Sequence, residues 1–445
     1  MNTLIMAGQL ITGLAILVTL HELGHFLAAR AFGIKVEKFY LFFDAWGFKL
    51  FSFKRGETEY GIGWLPLGGY VKIAGMIDES MDTEQMAKAP EPWEFRAKPA
   101  WQRLIVMVAG VTMNVLLGII IFSFSLLEFK QEYLSVNEVN KGDGIYAYSL
   151  GRELGFQNGD KIIAINGEKF DRFDDVLSSR IMFGATITIQ RSSQTMEIEV
   201  PSNFYRTVSK VGRMNFIGYG YQKFAISTIA EKSPAAKAGF KAGDEIISVK
   251  GEKILDTDDL KAKVAAHCNT TIVMEILRDK KPMTLSCIVR PDSSIGIGYF
   301  PQPIENGNYK MTPYTFASAF KFGTSDAMEA LVSNVKGLRK IFTGQEKASD
   351  SVQGPIGIAQ IYGSTWEWPK FWAITGLLSM VLAFMNILPI PALDGGHVVF
   401  LTIESITRKK FSDKFMERAQ IVGMIILLSL MVFSVANDIW KHILN

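Results

Sequence analysis

Four stretches of this 445-residue chain carry no charged side chain and are long enough to cross the hydrocarbon core of a bilayer, which takes about 20 mostly apolar residues. They run from Met1 to Leu20, Leu104 to Leu127, Phe371 to Ile390 and Ala419 to Ala436. In lipid every backbone N–H and C=O must be satisfied within its own segment, so each stretch is predicted to be a helix. The first has no positively charged n-region in Met1-Asn2-Thr3 and no small-residue cleavage site after it, so it is expected to stay as a span rather than leave as a signal peptide. Its apolar pattern resumes after His25 with Phe26-Leu27-Ala28-Ala29, which carries the helix through the polar residues at its end.

Charge places the spans. The link between the third and fourth holds Arg408, Lys409, Lys410, Lys414 and Arg418 against Glu404, Asp413 and Glu417, and an excess of Lys and Arg in a short loop marks the cytoplasmic side. Four spans then put both termini outside, the stretch from Arg30 to Arg103 inside, and the long stretch from Glu128 to about Lys370 outside. The chain as a whole is nearly balanced, with 47 basic and 44 acidic residues, so neither nucleic acid nor a polybasic membrane anchor is indicated. Two cysteines, Cys268 and Cys287, form no CxxC pair and no framework, and their spacing leaves open whether they pair.

The outer stretch repeats itself. Leu154 to Phe170 (LGFQNGDKIIAINGEKF) and Ala238 to Ile254 (AGFKAGDEIISVKGEKI) share nine of 17 positions at an offset of 84, which means two copies of a compact domain rather than a solenoid. Each copy reads as a Gly-Asp turn, a short apolar strand and a second glycine turn, and Ser233-Pro234 opens the second copy as a capped helix start. The pattern resembles the PDZ domain in the permuted form of exported bacterial proteases. Such domains add an extended peptide as a strand, or they fill space and gate access sterically; the sequence leaves both open.

Three of the five histidines lie in two short motifs. His21-Glu22-Leu23-Gly24-His25 sets two imidazoles four residues apart, on one face of a helix and about one turn from each other, where they can bind one zinc ion. Glu22 is then the general base that takes a proton from the attacking water. The pattern is short, but an imidazole pair and a carboxylate at the end of an uncharged span are functional by default, because unpaired polar groups there cost a few kcal/mol. A catalytic zinc needs a third protein ligand. The candidate is Asp394 in Asn386-Ile-Leu-Pro389-Ile-Pro391-Ala-Leu-Asp394-Gly-Gly-His397, where two prolines and two glycines break the third span. Non-helical backbone at membrane depth is tolerated only where protein or a water-filled cavity surrounds it. Asp394 is favoured because a His-His-carboxylate set suits zinc; His397 competes as ligand, or stands behind the ligands, or caps backbone. Asn114, amid apolar residues of the second span, reads as a hydrogen bond between helices.

With HExxH in the first span, Asn-x-x-Pro-x-Pro-x-Leu-Asp-Gly in the third and two PDZ-like domains between the second and third, the chain resembles the site-two protease family of intramembrane metalloproteases, closest to its bacterial branch, over nearly its full length. The resemblance implies one Zn2+ per chain held by His21, His25 and Asp394, catalysis by Glu22, and Asn386 holding the substrate backbone. It also implies residence in the bacterial inner membrane with the active site towards the cytoplasm. The implied substrates are single-pass transmembrane proteins such as pre-trimmed anti-sigma factors, together with signal-peptide remnants; membrane lipid is the surrounding partner and nucleic acid is none. Pro389 and Pro391 of the broken span are counted with the substrate site.

A protease working in lipid must receive its substrate unwound, and some edge must hold the strand. Tyr60 to Gly75, uncharged until Lys72 and containing Gly68 and Gly69, reads as a hairpin that resembles the family's membrane-associated β element, the alternative being an ordinary cytoplasmic hairpin. Phe316 to Phe342 reads as amphipathic helices, on the outer membrane surface or packed on the PDZ-like domains. The expected fold is therefore a polytopic α-helical membrane protein with four transmembrane helices, a membrane-associated β-hairpin and two exported PDZ-like α+β domains. Its division is a first span with HExxH (1–32), a β region (33–100), the second span (101–127), PDZ-like domains (128–212 and 213–302), a linker (303–368), the third span (369–402), a cytoplasmic loop (403–418) and the fourth span with the C-terminus (419–445). A metal transporter would be expected to show repeated polar or broken helices in both halves, whereas four spans with one site per half-motif do not give a paired pathway. A catalytically dead adaptor would lack part of the hydrolytic set, which is complete.

Overall fold

The computed structural model describes residues 2–66, 68–76, 89–142, 144–212, 215–219, 222–254, 257–303 and 309–441. The chain forms two compact units, Met1–Gln131 with Tyr314–Asn445, and Glu132–Pro313.

The first unit is built on long apolar helices. We label them α1 (Asn2–Ala31), α2 (Ala100–Glu128), α3 (Phe316–Phe342), α4 (Pro355–Tyr362), α5 (Trp368–Ile387), α6 (Asp394–Thr407) and α7 (Asp413–Ile439). Four of them, α1, α2, α5 and α7, are long and apolar enough to cross a membrane. Small residues let their backbones approach, as is usual where no hydrophobic effect drives helices together. A Cβ on Gly24 of α1 would stand 2.5 Å from the Ala109 carbonyl of α2, and one on Gly323 of α3 would stand 2.5 Å from the Ser123 amide of α2. Phe316 to Phe342 is thus one continuous helix, opened by a Thr315–Ser318 capping box and packed along α2 and α5.

The fourth long helix is clipped near its end. Asp438 is 1% exposed, and its carboxylate accepts from the backbone amides of Gly354 (2.9 Å), Ile356 (2.8 Å) and Gly357 (3.0 Å) at the start of α4. These are the donors a helix start leaves unpaired, and the negative charge meets the positive end of the α4 dipole.

After α1 the chain forms strands β1 (Val36–Leu41), β2 (Lys49–Arg55), β3 (Thr58–Gly63) and β4 (Tyr70–Ile73) in the order β2-β3-β1-β4. This corrects the hairpin expected over Tyr60 to Gly75, within which Leu67 lies outside the described residues. The pieces of that stretch, β3 and β4, do not pair with each other, because β1 lies between them, parallel to β3 and antiparallel to β4. The hairpin is β2 with β3, closed at Arg55↔Thr58. Sequence pattern could not see this, because Val36–Leu41 alternates no more cleanly than its neighbours and parallel pairing leaves no turn signature. On its other side β4 has no partner strand among the described residues.

The two larger sheets of the second unit have separate cores. One has β5 (Lys161–Ile165), β6 (Ala185–Arg191) and β7 (Gln194–Val200) in sequence order around Ile162, Ile187 and Phe216. The other runs β11-β10-β9-β8-β12, with β8 (Gln222–Ile229), β9 (Glu245–Val249), β10 (Thr271–Arg278), β11 (Lys281–Ile288) and β12 (Ile297–Pro303), around Ile246, Ile272 and Met274. The sequence repeat has a physical counterpart. Asp160 takes two 2.7 Å bonds from Arg191, which also reaches the Gly155 carbonyl; Asp244 takes two 2.7 Å bonds from Arg278, which also reaches the Gly239 carbonyl. Burial pushes the Asp244 carboxyl up, but the Arg278 guanidinium and the Lys241 amide outweigh it and hold the group below the usual carboxylate range. Cys268 and Cys287 are both free thiols.

Candidate metal centre

His21 and His25 lie two-thirds of the way along α1, one turn apart, and both side chains are buried. Their rings meet edge to face with centroids 4.8 Å apart. The approach of α2 depends on Gly110, where a Cβ would collide with His25 Nε2 and stand 2.7 Å from His21 Cε1. Glycine at that position leaves the cradle the two imidazoles fill.

Asp394 reaches the same place from the far end of the chain. Helix α5 stops at Ile387, with Leu388 extended before Pro389, as the residue preceding a proline prefers. Ala392 takes a left-handed conformation (φ 82°), an uncommon one for a residue with a Cβ, and Leu393 is extended. The chain then doubles back so closely that a Cβ on Gly396 would stand 2.5 Å from the Ile390 carbonyl, and one on Gly395 would strike the carbonyls of Ile387 and Leu388. Both glycines of the Asp-Gly-Gly sequence are therefore steric requirements. Asp394 becomes the first residue of α6, where its negative charge faces a helix N-terminus.

Three donor atoms converge. His21 Nε2 and His25 Nε2 are 3.2 Å apart, and each lies 3.3 Å from Asp394 Oδ2. Among the described residues, these three form the group able to hold a metal ion; His397, the competing candidate, is outside it. Asp394 Oδ2 is buried without a hydrogen-bond partner despite its two close neighbours. A near-equilateral triangle of this size fits one ion. Tetrahedral zinc with bonds of about 2.0–2.1 Å separates its ligand atoms by about 3.3–3.4 Å. The donor set, two imidazoles and a carboxylate, also leaves one position of a tetrahedron free for water or substrate.

Other groups surround the triangle. His25 Nδ1 lies 2.8 Å from the Val106 carbonyl, which can only accept, so Nδ1 carries the proton and Nε2 presents its lone pair to the centre. Glu22 has His21, His25 and Asp394 as its titratable neighbours, and its carboxylate accepts a hydrogen bond from the Val71 amide of β4. That strand reaches α1 through Gly69, where a Cβ would stand 2.7 Å from the Tyr40 carbonyl and 2.8 Å from Val18. Gly68 packs similarly on the Phe43 ring. Asn386, on the last turn of α5, brings Nδ2 to 3.3 Å from His21 Nε2. Pro389 and Pro391 lie in the turn between α5 and α6, Pro389 exposed and Pro391 half-buried with its carbonyl against Gly423 of α7. Gly110 and Val106 were not singled out by sequence reasoning, whereas Gly69 and Val71 lie in the Tyr60 to Gly75 stretch read as the strand-holding element, Gly69 being named in it.

Comparison with known proteins agrees over almost the whole chain. A family model described as Peptidase family M50 matches residues 9–430. The chain is 29% identical over 455 residues to the regulator of sigma-E protease RseP of Escherichia coli K12, covering 96% of this chain and 97% of that one. It is 28% identical over 451 residues to the regulator of sigma E protease of Haemophilus influenzae, covering 97% and 98%. A Xylella fastidiosa protein whose name includes the words zinc metalloprotease is 28% identical over 457 residues, covering 97% of each chain.

Proposed function

This chain belongs to peptidase family M50 and is a zinc metalloprotease of the membrane, and from that premise we propose that it hydrolyses peptide bonds within the transmembrane segments of single-pass proteins. The observation that carries the reading is the His21–His25–Asp394 triangle with Glu22 beside it, built on helices apolar enough to lie in lipid. Zinc held there by the three side chains supplies Lewis acidity, polarising the scissile carbonyl and bringing the pKa of water towards about 7. Glu22 takes the proton of the attacking water at its carboxylate and hands it to the leaving amide nitrogen. Asn386, next to His21, offers an amide that both donates to and accepts from the substrate backbone.

The substrate needs an extended conformation, since a helix hides its carbonyls in its own hydrogen bonds. The unpaired edge of β4 receives it as an added strand, with Gly68 and Gly69 keeping side chains out of its way and the Val71 amide fixing the strand to Glu22. Pro389 and Pro391 hold the turn before Asp394 out of helix, so that its backbone lines the site. The relatives' names tie those proteins to the regulation of sigma E; by resemblance to the site-two protease family, the proposed substrates are anti-sigma factors already trimmed outside, with signal-peptide remnants as a second class. The basic α6–α7 link favours an active site facing the cytoplasm and PDZ-like domains outside it, in a bacterial inner membrane.

The test uses the purified full-length chain in proteoliposomes with a single-pass reporter substrate. Cleavage is expected to stop on chelation, to return with zinc, and to be absent in Asp394→Ala under both conditions. Cleavage by Asp394→Ala at the wild-type rate would overturn the assignment.

A further inference from the structure

We propose that Asn114 is a positioning residue of the metal centre, its amide oxygen accepting the Nδ1–H of His21 and so holding that imidazole with its Nε2 lone pair towards His25 and Asp394. The inference rests on the metalloprotease reading and deepens it. Asn114 lies in α2, is 0% exposed, and places its side-chain amide 3.2 Å from His21 Nδ1. An amide's oxygen and nitrogen are nearly alike in shape, so the hydrogen-bond network decides which of them faces the ring. With the nitrogen towards His21, Nδ1 would have to accept, the proton would sit on Nε2, and it would point into the ligand triangle. The amide oxygen would then be buried with no donor, and such an oxygen is found at Asn114. With the oxygen towards His21, the amide accepts from Nδ1–H and Nε2 is free to ligate.

The neighbouring ligand supports the second orientation, in which the ring proton sits on Nδ1 and Nε2 stays free; the Asn386 amide, 3.3 Å from His21 Nε2, accommodates it with its nitrogen towards the ring. His25 follows the same rule through the Val106 carbonyl. Both histidines would then have an oxygen on α2 behind them, one backbone and one side-chain, orienting the rings as acceptors behind ligand histidines do. The position of Asn114 is itself secured, since its carbonyl accepts 2.7 Å from the Ser379 hydroxyl of α5.

The experiment compares Asn114→Leu, Asn114→Ala, Asn114→Asp and Ser379→Ala in the full-length protein in detergent, each first shown monodisperse. Zinc affinity is read by competition with a chelator, and the His21 tautomer by 15N chemical shifts of the imidazoles. Losing the acceptor in Leu or Ala should weaken zinc about 10- to 100-fold, the range found when the partner behind a ligand histidine is removed. Asp keeps the oxygen and should bind within about threefold of wild type by the same reasoning. Ser379→Ala removes the donor that secures the Asn114 backbone but keeps the side-chain acceptor, and should weaken zinc less than Asn114→Ala does. If Leu does not fold, Ala against Asp decides. Wild-type affinity in the acceptor-free variants, or equal weakening in Asp and Ala, would overturn the proposal and leave the metalloprotease reading intact. A wild-type protein that binds no zinc would instead overturn that reading.

Discussion

At the scale of single residues, the site is defined as much by what is missing as by what is present. His21, His25 and Asp394 come together because Gly110, Gly395 and Gly396 have no Cβ. Gly110→Ala is the sharpest case. Its methyl would overlap His25 Nε2, and on a packed helix pair neither backbone can retreat without parting α1 from α2. Zinc affinity is expected to fall about 10- to 100-fold, as when the surroundings of a ligand histidine are disturbed. Chelator competition measures it; affinity equal to wild type would show that the helices part enough to spare the rings. The three converging side chains were readable in the sequence because HExxH sets two of them at helical spacing, and because a lone carboxylate among prolines and glycines stands out in an apolar span. Gly110 and Asn114 were not readable as neighbours of those ligands, since contacts between two helices leave no period in either sequence.

At the scale of elements, β4 is the strand proposed to connect substrate to chemistry. Its Val71 amide is bonded to Glu22 instead of to a further strand, and its outer edge is unpaired among the described residues. Val71→Pro deletes that donor. Zinc content is expected to stay at the wild-type level while kcat/KM for a transmembrane reporter falls at least about tenfold, the effect of losing one charge-assisted hydrogen bond of about 1.5 kcal/mol or more at the general base. Unchanged cleavage would remove β4 from the site. The four long helices were legible from composition alone, and α1 runs through its motif as its apolar pattern required. The sheet was legible only in part. The glycine-rich stretch from Tyr60 does contain two strands, but they flank β1 rather than each other, a crossover that local turn chemistry cannot announce. The Asp438 clip on α4 was also silent, because a carboxylate that caps a helix more than 80 residues away in sequence carries no local capping signature.

At the scale of the whole molecule, the proposed centre is assembled from opposite ends of the chain. Helix α1 brings His21, His25 and the proposed base Glu22, while the broken link from α5 to α6 brings Asp394 and the last turn of α5 brings Asn386. The two repeated segments fall between them in sequence, each beside its own apolar core and with its own Asp–Arg clasp. In the proposed reaction Glu22 moves the proton for a zinc-dependent hydrolysis in that site. Glu22→Gln tests it most directly, with bound zinc and cleavage of a single-pass substrate measured on the same sample. One zinc per chain with cleavage lowered about 100-fold or more, the scale of general-base catalysis, is the predicted result. Zinc retained together with cleavage at the wild-type rate would contradict it.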